Sequence, residues 1–278
     1  SRFLLGREDL LSVAVSILNQ PDVEEKVRMT LEARRRFVEG TLKVPTGKEQ
    51  PEGLREQPSR PEKVQMVEAR KVKQGSRNAF IHSLCHAESY AIDLMWDLMA
   101  RFHTEGLPRE FYDDWSRVAA EEATHYSAWR DRLRELGGEY GDLPAHDSLW
   151  ESASETAHDL LSRLAIVHMV HEARGLDVAD AGLSKFMRAN PPDEVSAAIL
   201  KRNVKDETTH VGAAVKWFKK VCEARGEASP PQEVFGQYVK KHFRGKLKPP
   251  FNREARLEAG MTEDWYIPLS EEGEAVEG

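Results

Sequence analysis

Glu121-Glu122-Ala123-Thr124-His125 and Asp206-Glu207-Thr208-Thr209-His210 are two copies of one acidic Glu-x-x-His pattern, and each has a lone glutamate upstream. Glu88 precedes Glu122 by 34 residues, and Glu172 precedes Glu207 by 35. On a helix, residues three apart stack on one face, so Glu122 with His125, and Glu207 with His210, point at the same place. Four carboxylates and two imidazoles so spaced are the ligand set of a two-metal site in a four-helix bundle: one Glu from each of two helices and Glu-x-x-His from each of the other two. By analogy with such sites, Glu122 and Glu207 are expected to bridge the metals, with Glu88 and Glu172 as terminal ligands.

A single Glu-x-x-His arises often by chance, and Glu and His on a helix usually sit on a solvated face. Here the neighbours point elsewhere. Glu88 is flanked at helical spacing by Leu84, Ala87, Ala91 and Ile92, and Glu172 follows Leu164, Ala165, Val167, Met169 and Val170. Burying a carboxylate without a partner costs several kcal/mol, and the group would neutralise instead. Carboxylates on apolar faces of four successive helices are best explained if they share cations. Mixed carboxylate and imidazole donors suit iron first and manganese, or a mixed iron–manganese pair, second. Metal-bound histidines usually donate their other N–H to a carboxylate. Asp206 toward His125 and Glu121 toward His210 are the candidate supporting pairs, Asp206 the stronger.

Outward from these motifs the pattern is helical, with no convincing run of alternating β-branched residues. The chain reads as all-α in three parts forming one domain. Residues 1–75 hold two short helices, broken at Asn19-Gln20-Pro21, and a Pro- and Gly-rich wrapping loop from Lys43 to about Lys73. Residues 76–226 hold the four-helix bundle. Its first helix runs from about Arg77 to Phe102; its second opens after Pro108, a residue suited to a first helical turn, and stops at Gly137-Gly138. Its third runs from about Leu149 to Gly175, with a short piece over 178–187, and its fourth runs to about Ala224, with Asp193 and Glu194 in its first turn. Residues 227–278 hold a helix near 232–242 and an irregular tail whose last residues are expected to be mobile. The 50 residues between Glu122 and Glu172 exceed the two within-pair gaps, as a crossover between two hairpins requires.

Other residues read as structural. His82, His86, His168 and His171 are expected to be hydrogen-bonded histidines rather than ligands, and Tyr90, Trp96, Tyr126 and Trp129 to be packing residues. The run Lys240-Lys241-His242, Arg244, Lys246, Lys248 is the only sizeable basic cluster. It reads as a solvated surface or as a face for an anionic substrate.

The 278 residues carry a net charge of -7, which argues against a broad nucleic-acid surface. No stretch approaches a membrane span, and no signal peptide is evident. The two cysteines make no framework, so a cytoplasmic location is expected, an organellar one staying open because the chain begins at Ser1.

His86-Ala-Glu88, Ala91-Ile-Asp-Leu94, Arg101-Phe102, Glu121 to His125, Leu136-Gly-Gly-Glu-Tyr-Gly-Asp142, Glu172-Ala-Arg-Gly-Leu-Asp177, Asp206 to His210 and Phe251-Asn-Arg253 together resemble the ferritin-like family called domain of unknown function 455, over about residues 60 to 260. The family is similar to diiron tRNA hydroxylases. The resemblance implies a ferritin-like four-helix bundle with a carboxylate-bridged dinuclear site and extra N- and C-terminal helices, and supplies no substrate. With all six ligand positions present, the expected function is an O2-dependent diiron oxidoreductase, a monooxygenase or oxidase. Its substrate is expected to be a small molecule or a modified nucleoside, with an electron-donor protein as a further partner. No catalytic residue beyond the ligands is identified. Ferroxidase or iron handling and a tRNA-modifying hydroxylase are the alternatives. The long Pro-rich loop favours a monomer or dimer over a storage cage. Arg174, Gly175, Asp177, Asn252 and Arg256 receive no assigned chemistry.

Overall fold

The computed structural model describes residues 9–72 and 75–271. Among these the chain is all-helical, with three isolated bridges and no strand. It divides into two compact units, the first ending at Glu151 and the second beginning at Ser152.

In the first unit, α1 (Leu10–Leu18) and α2 (Val23–Val38) are each opened by an aspartate. The Asp9 side chain accepts from the Ser12 N–H at 2.9 Å and Asp22 from that of Glu25 at 2.8 Å. α3 (Arg77–Arg101) is capped by Ser76, and α4 (Arg109–Glu135) returns beside it as a hairpin. Pro108 takes the N-cap position itself rather than the first turn, and the chain leaves α4 through Gly137 at φ +76°. From Ser89 to Ala100 every residue of α3 is buried, so this helix is covered all round.

The segment joining α2 to α3 carries a 3-10 turn, Ala69–Lys71, and makes polar contacts with the helices. The Lys26 ammonium reaches the Ser59 carbonyl at 2.9 Å and the Asp93 carboxylate at 2.6 Å, and Arg60 meets the other Asp93 oxygen at 2.8 Å. Lys26 and Asp93 are fully buried. Burial lowers the Lys26 pKa from 10.5 to about 8, although the Asp93 charge works the other way. The buried Lys26–Asp93 pair therefore joins α2 to α3, and the wrapping loop binds its two members through the Ser59 carbonyl and Arg60.

The second unit contains α5 only from Ser152 onward, since that helix (Ser148–Glu155) spans the unit boundary. α6 (Leu160–Arg163), a π-helical stretch (Leu164–His171) and α7 (Glu172–Met187) form one continuous helix, because the junction residues keep right-handed helical dihedrals. The expected third helix is thus corrected at both ends. It breaks after Glu155 and restarts at Leu160, where Asp159 accepts from the Ser162 N–H at 2.8 Å. It also runs straight through Gly175 to Met187. α8 (Glu194–Arg225) is capped by Asp193, which stands before the first turn rather than in it, and ends at Gly226 with φ +69°. α9 (Pro231–His242) follows. The tail expected to be irregular carries α10 (Arg253–Glu258) and α11 (Glu263–Tyr266). Phe218, Phe235 and Trp265 meet edge-on with centroids 5.5 to 6.0 Å apart, and each such pair adds about 0.5–1.5 kcal/mol beyond area burial.

α10 is held to α7 by a bidentate pair. The Arg256 guanidinium donates to both Asp177 oxygens at 2.8 and 2.6 Å while lying over the Tyr266 ring. Asn252 caps α10 and donates its own N–H to Asp177. Asp177, Asn252 and Arg256 thus acquire a structural role that the sequence alone left blank. The expectations for residues 1–8 and for the last residues, 272–278, lie outside the described residues.

Candidate metal centre

In the first unit, α3 presents Glu88, and α4 presents Glu122 and His125 one turn apart. One ligand atom from each of these three lies within 4.8 Å of the others. His125 Nδ1 stands 3.4 Å from a Glu122 oxygen and 3.9 Å from a Glu88 oxygen. The Glu122 and His125 side chains are 1% exposed and that of Glu88 12%, so Glu88 lies toward the solvent side. Two carboxylates and an imidazole converging in a buried place fit a hard-to-borderline divalent cation, which offsets the cost of desolvating them.

The second unit repeats the local motif. On α8, His210 Nδ1 stands 3.1 Å from its own Glu207 oxygen, with His210 1% and Glu207 16% exposed. Glu172 is partly buried and is the first residue after the π-helical stretch. Wide π turns occur often at functional sites, because the extra residue per turn re-aims the side chains around it. Of the two supporting candidates, Glu121 accepts from Arg117 at 2.6 Å on its own helix, and Asp206 is partly buried directly before Glu207.

The remaining histidines divide cleanly. His86 places Nδ1 at 2.8 Å from the Tyr140 hydroxyl and Nε2 at 2.9 Å from the His146 carbonyl. His82 Nε2 accepts from the Gly141 N–H at 2.9 Å, and His171 Nε2 pairs with Ser152 Oγ at 2.9 Å. Burial pushes the His86 pKa down to about 3 and that of His171 to about 4, and lowers His82 as well. His82, His86 and His171 are hydrogen-bonded residues as expected, and His168 is fully buried in the π stretch. The Leu136–Asp142 motif explains itself here. Gly141 at φ +101° turns its N–H to His82, and Tyr140 reaches His86. That pairing was invisible in the sequence because the partners lie 54 and 59 residues apart. Both cysteines are buried and free. In the basic run, Lys240, Lys241, Arg244, Lys246 and Lys248 are exposed, and Arg244 pairs with Glu155 at 3.1 Å. Among the described residues no helix is long and apolar enough to cross a membrane.

A family model described as "Protein of unknown function (DUF455)" matches residues 19–267. An uncharacterized protein of Haemophilus influenzae is 36% identical over 203 residues, which cover 69% of this chain and 68% of that protein. No solved structure matches the chain.

Proposed function

This chain belongs to the DUF455 family, and we propose that it is an O2-dependent oxidoreductase with Glu88, Glu122, His125, Glu172, Glu207 and His210 as ligands to two iron ions, or to iron and manganese. The observation that carries this reading is the buried convergence of Glu88, Glu122 and His125. The ferritin-like resemblance supports it, as does the second Glu-x-x-His with the same local geometry. When bound, the metals supply the electrons that reduce O2 and the oxidising power that acts on an organic substrate. The residues of the chain do the rest. Glu122 and His125 sit where water is excluded, which strengthens their hold on a cation. Glu88, whose side chain is 12% exposed, would hold the cation from the solvent side. Asp206 and Glu121 are proposed to orient the ligand histidines from behind.

The test begins with metal analysis of the purified protein, followed by rapid mixing of the ferrous form with O2. Two metals per chain are expected from such a ligand set, with large losses in Glu122→Ala and Glu207→Ala. Metal content at background, or unchanged in both variants, would sink the reading. A transient absorbance after mixing with O2 that is absent from both variants is expected.

A second reading, a hydroxylase of a modified nucleoside in tRNA, is favoured by the exposed basic run from Lys240 to Lys248. From Val234 to Arg253 the chain has no carboxylate at all. Comparing modified nucleosides by mass spectrometry in cells with and without the gene decides between the two. Accumulation of an unhydroxylated nucleoside supports the second, and an unchanged nucleoside profile supports a small-molecule substrate.

A further inference from the structure

A partly enclosed cavity of about 60 Å³ lies in the first unit, between α3 and residues 143–149. Its apolar walls are Val72, Leu143, Pro144, Ala145 and Leu149, with Ala79 from α3. The wall opposite α3 is pinned by hydrogen bonds. Ala145 donates to the Gln65 carbonyl at 3.0 Å and accepts from the Val67 N–H at 2.8 Å. The His146 carbonyl accepts from His86 Nε2 at 2.9 Å. The cavity is therefore shaped before anything enters it, which spares a ligand the cost of ordering it. Two polar groups at consecutive positions of α3 line it as well. His82 is 2% exposed. Its Nε2 accepts from the Gly141 N–H, and a backbone N–H can only donate, so the ring proton sits on Nδ1. Among the described residues that Nδ1–H has no acceptor. Ser83 donates its hydroxyl to the Phe80 carbonyl at 2.7 Å, which leaves the lone pairs of its oxygen to accept. His146 borders the cavity too, with Nδ1 facing the Ser148 N–H at 3.4 Å. No carboxylate, ammonium or guanidinium lines it.

We propose that this cavity is a binding site for a small neutral alcohol of three or four carbons. A buried water occupies roughly 10–15 Å³ of such space, so the cavity has room for about four or five non-hydrogen atoms. Waters alone fill it poorly. Each wants two to four polar partners, and the walls are mostly apolar. A short alkyl chain against Val72, Leu143 and Leu149 displaces them at a gain. The alcohol oxygen accepts from His82 Nδ1, and its O–H donates to Ser83 Oγ. A carboxylate or an ammonium is refused, because it would lose its water with no opposite charge in the walls. Burial lowers the His82 pKa, with Lys63 acting in the same sense and Asp142 against it, so the imidazole stays neutral and offers no countercharge. A ligand this small binds with an affinity of about micromolar at best. The site does not depend on the oxidase reading.

The probe is isobutanol, titrated into the purified full chain carrying isotope-labelled histidine. The imidazole nitrogens are followed by nuclear magnetic resonance, with the His82 ring identified by its contact with the Gly141 amide. A shift of the His82 Nδ1–H signal that saturates with isobutanol is expected. Isobutyrate, the same carbon skeleton with a charge, should give no saturating shift. Ala145→Leu fills the cavity while keeping the backbone bonds of that residue, and should weaken binding by more than about tenfold. Ser83→Ala leaves the apolar walls intact and removes the acceptor, and should weaken binding about two- to tenfold. Circular dichroism checks that each variant folds, and Ser83→Ala carries the test should Ala145→Leu fail to fold. Absence of a saturating His82 shift with isobutanol overturns the proposal. So does an unchanged affinity in either folded variant, or isobutyrate binding as tightly as the alcohol.

Discussion

The helices that carry the two lone glutamates can be compared position by position. In each, a buried aspartate stands five residues after the glutamate: Asp93 after Glu88 and Asp177 after Glu172. In each, that aspartate takes an ion pair from an outer element, Lys26 and Arg60 in the first unit and Arg256 in the second. The internal likeness therefore extends past the ligands to the means of anchoring each helix. The helices themselves differ. α3 is regular over 25 residues, whereas its counterpart contains an eight-residue π stretch that ends at His171, just before Glu172. Ligand spacing and anchoring recur while the backbone winding does not. Only Glu172 thus stands at a point where the winding changes.

The comparison is tested most severely at the anchors. Lys26→Met leaves Asp93 buried with Arg60 alone and should cost roughly 3–5 kcal/mol in urea unfolding. A loss under 1 kcal/mol, in the range of an exposed pair, would mean that α2 and α3 are not anchored this way. Asp177→Ala should fall toward the lower end of the same range, because Arg256 keeps its stacking on Tyr266 and Phe251. If the second anchor costs more than the first, the likeness between the two is one of sequence position only.

A pH series sharpens the same point. The folded-state pKa of Lys26 lies near 8, below its ordinary 10.5, so between these values the unfolded chain binds the extra proton. Stability contributed at this site should rise as pH climbs from about 8 toward 10.5, relative to Lys26→Met. Parallel stability profiles for the two proteins would contradict it.

The smallest effect has the opposite sign. Gly175 lies inside α7, exposed, with nothing within 4 Å of an added Cβ. Gly175→Ala should stabilise by about 0.5–1 kcal/mol in thermal unfolding. Destabilisation would show that the stretch after the π turns needs its freedom.

These contrasts follow how far each feature was legible in the sequence. Glu122 with His125 was readable because their stacking depends only on helical rise. The α1–α2 break was readable because Asn19-Gln20-Pro21 is local. The π stretch was not, since Leu164-Ala-Ile-Val-His-Met-Val170 is apolar at nearly every position and has no phase to lose. The break before Leu160 carries a local signal, an aspartate three residues ahead of Ser162. Gly175 looks like a stop, yet a glycine without a positive φ ends nothing. The partners of Asp93 and Asp177 lie 67 and 79 residues away, beyond any local pattern.

The bond between Tyr140 and His86 has a consequence for how relatives of this chain can vary. Neither side chain can drift alone. A substitution that removes the imidazole leaves the buried Tyr140 hydroxyl with Ser89 Oγ at 3.2 Å, and loss of the phenol strands a buried ring nitrogen. Wherever a relative has replaced one, it should have replaced the other, and the turn around Gly141 should have changed with them.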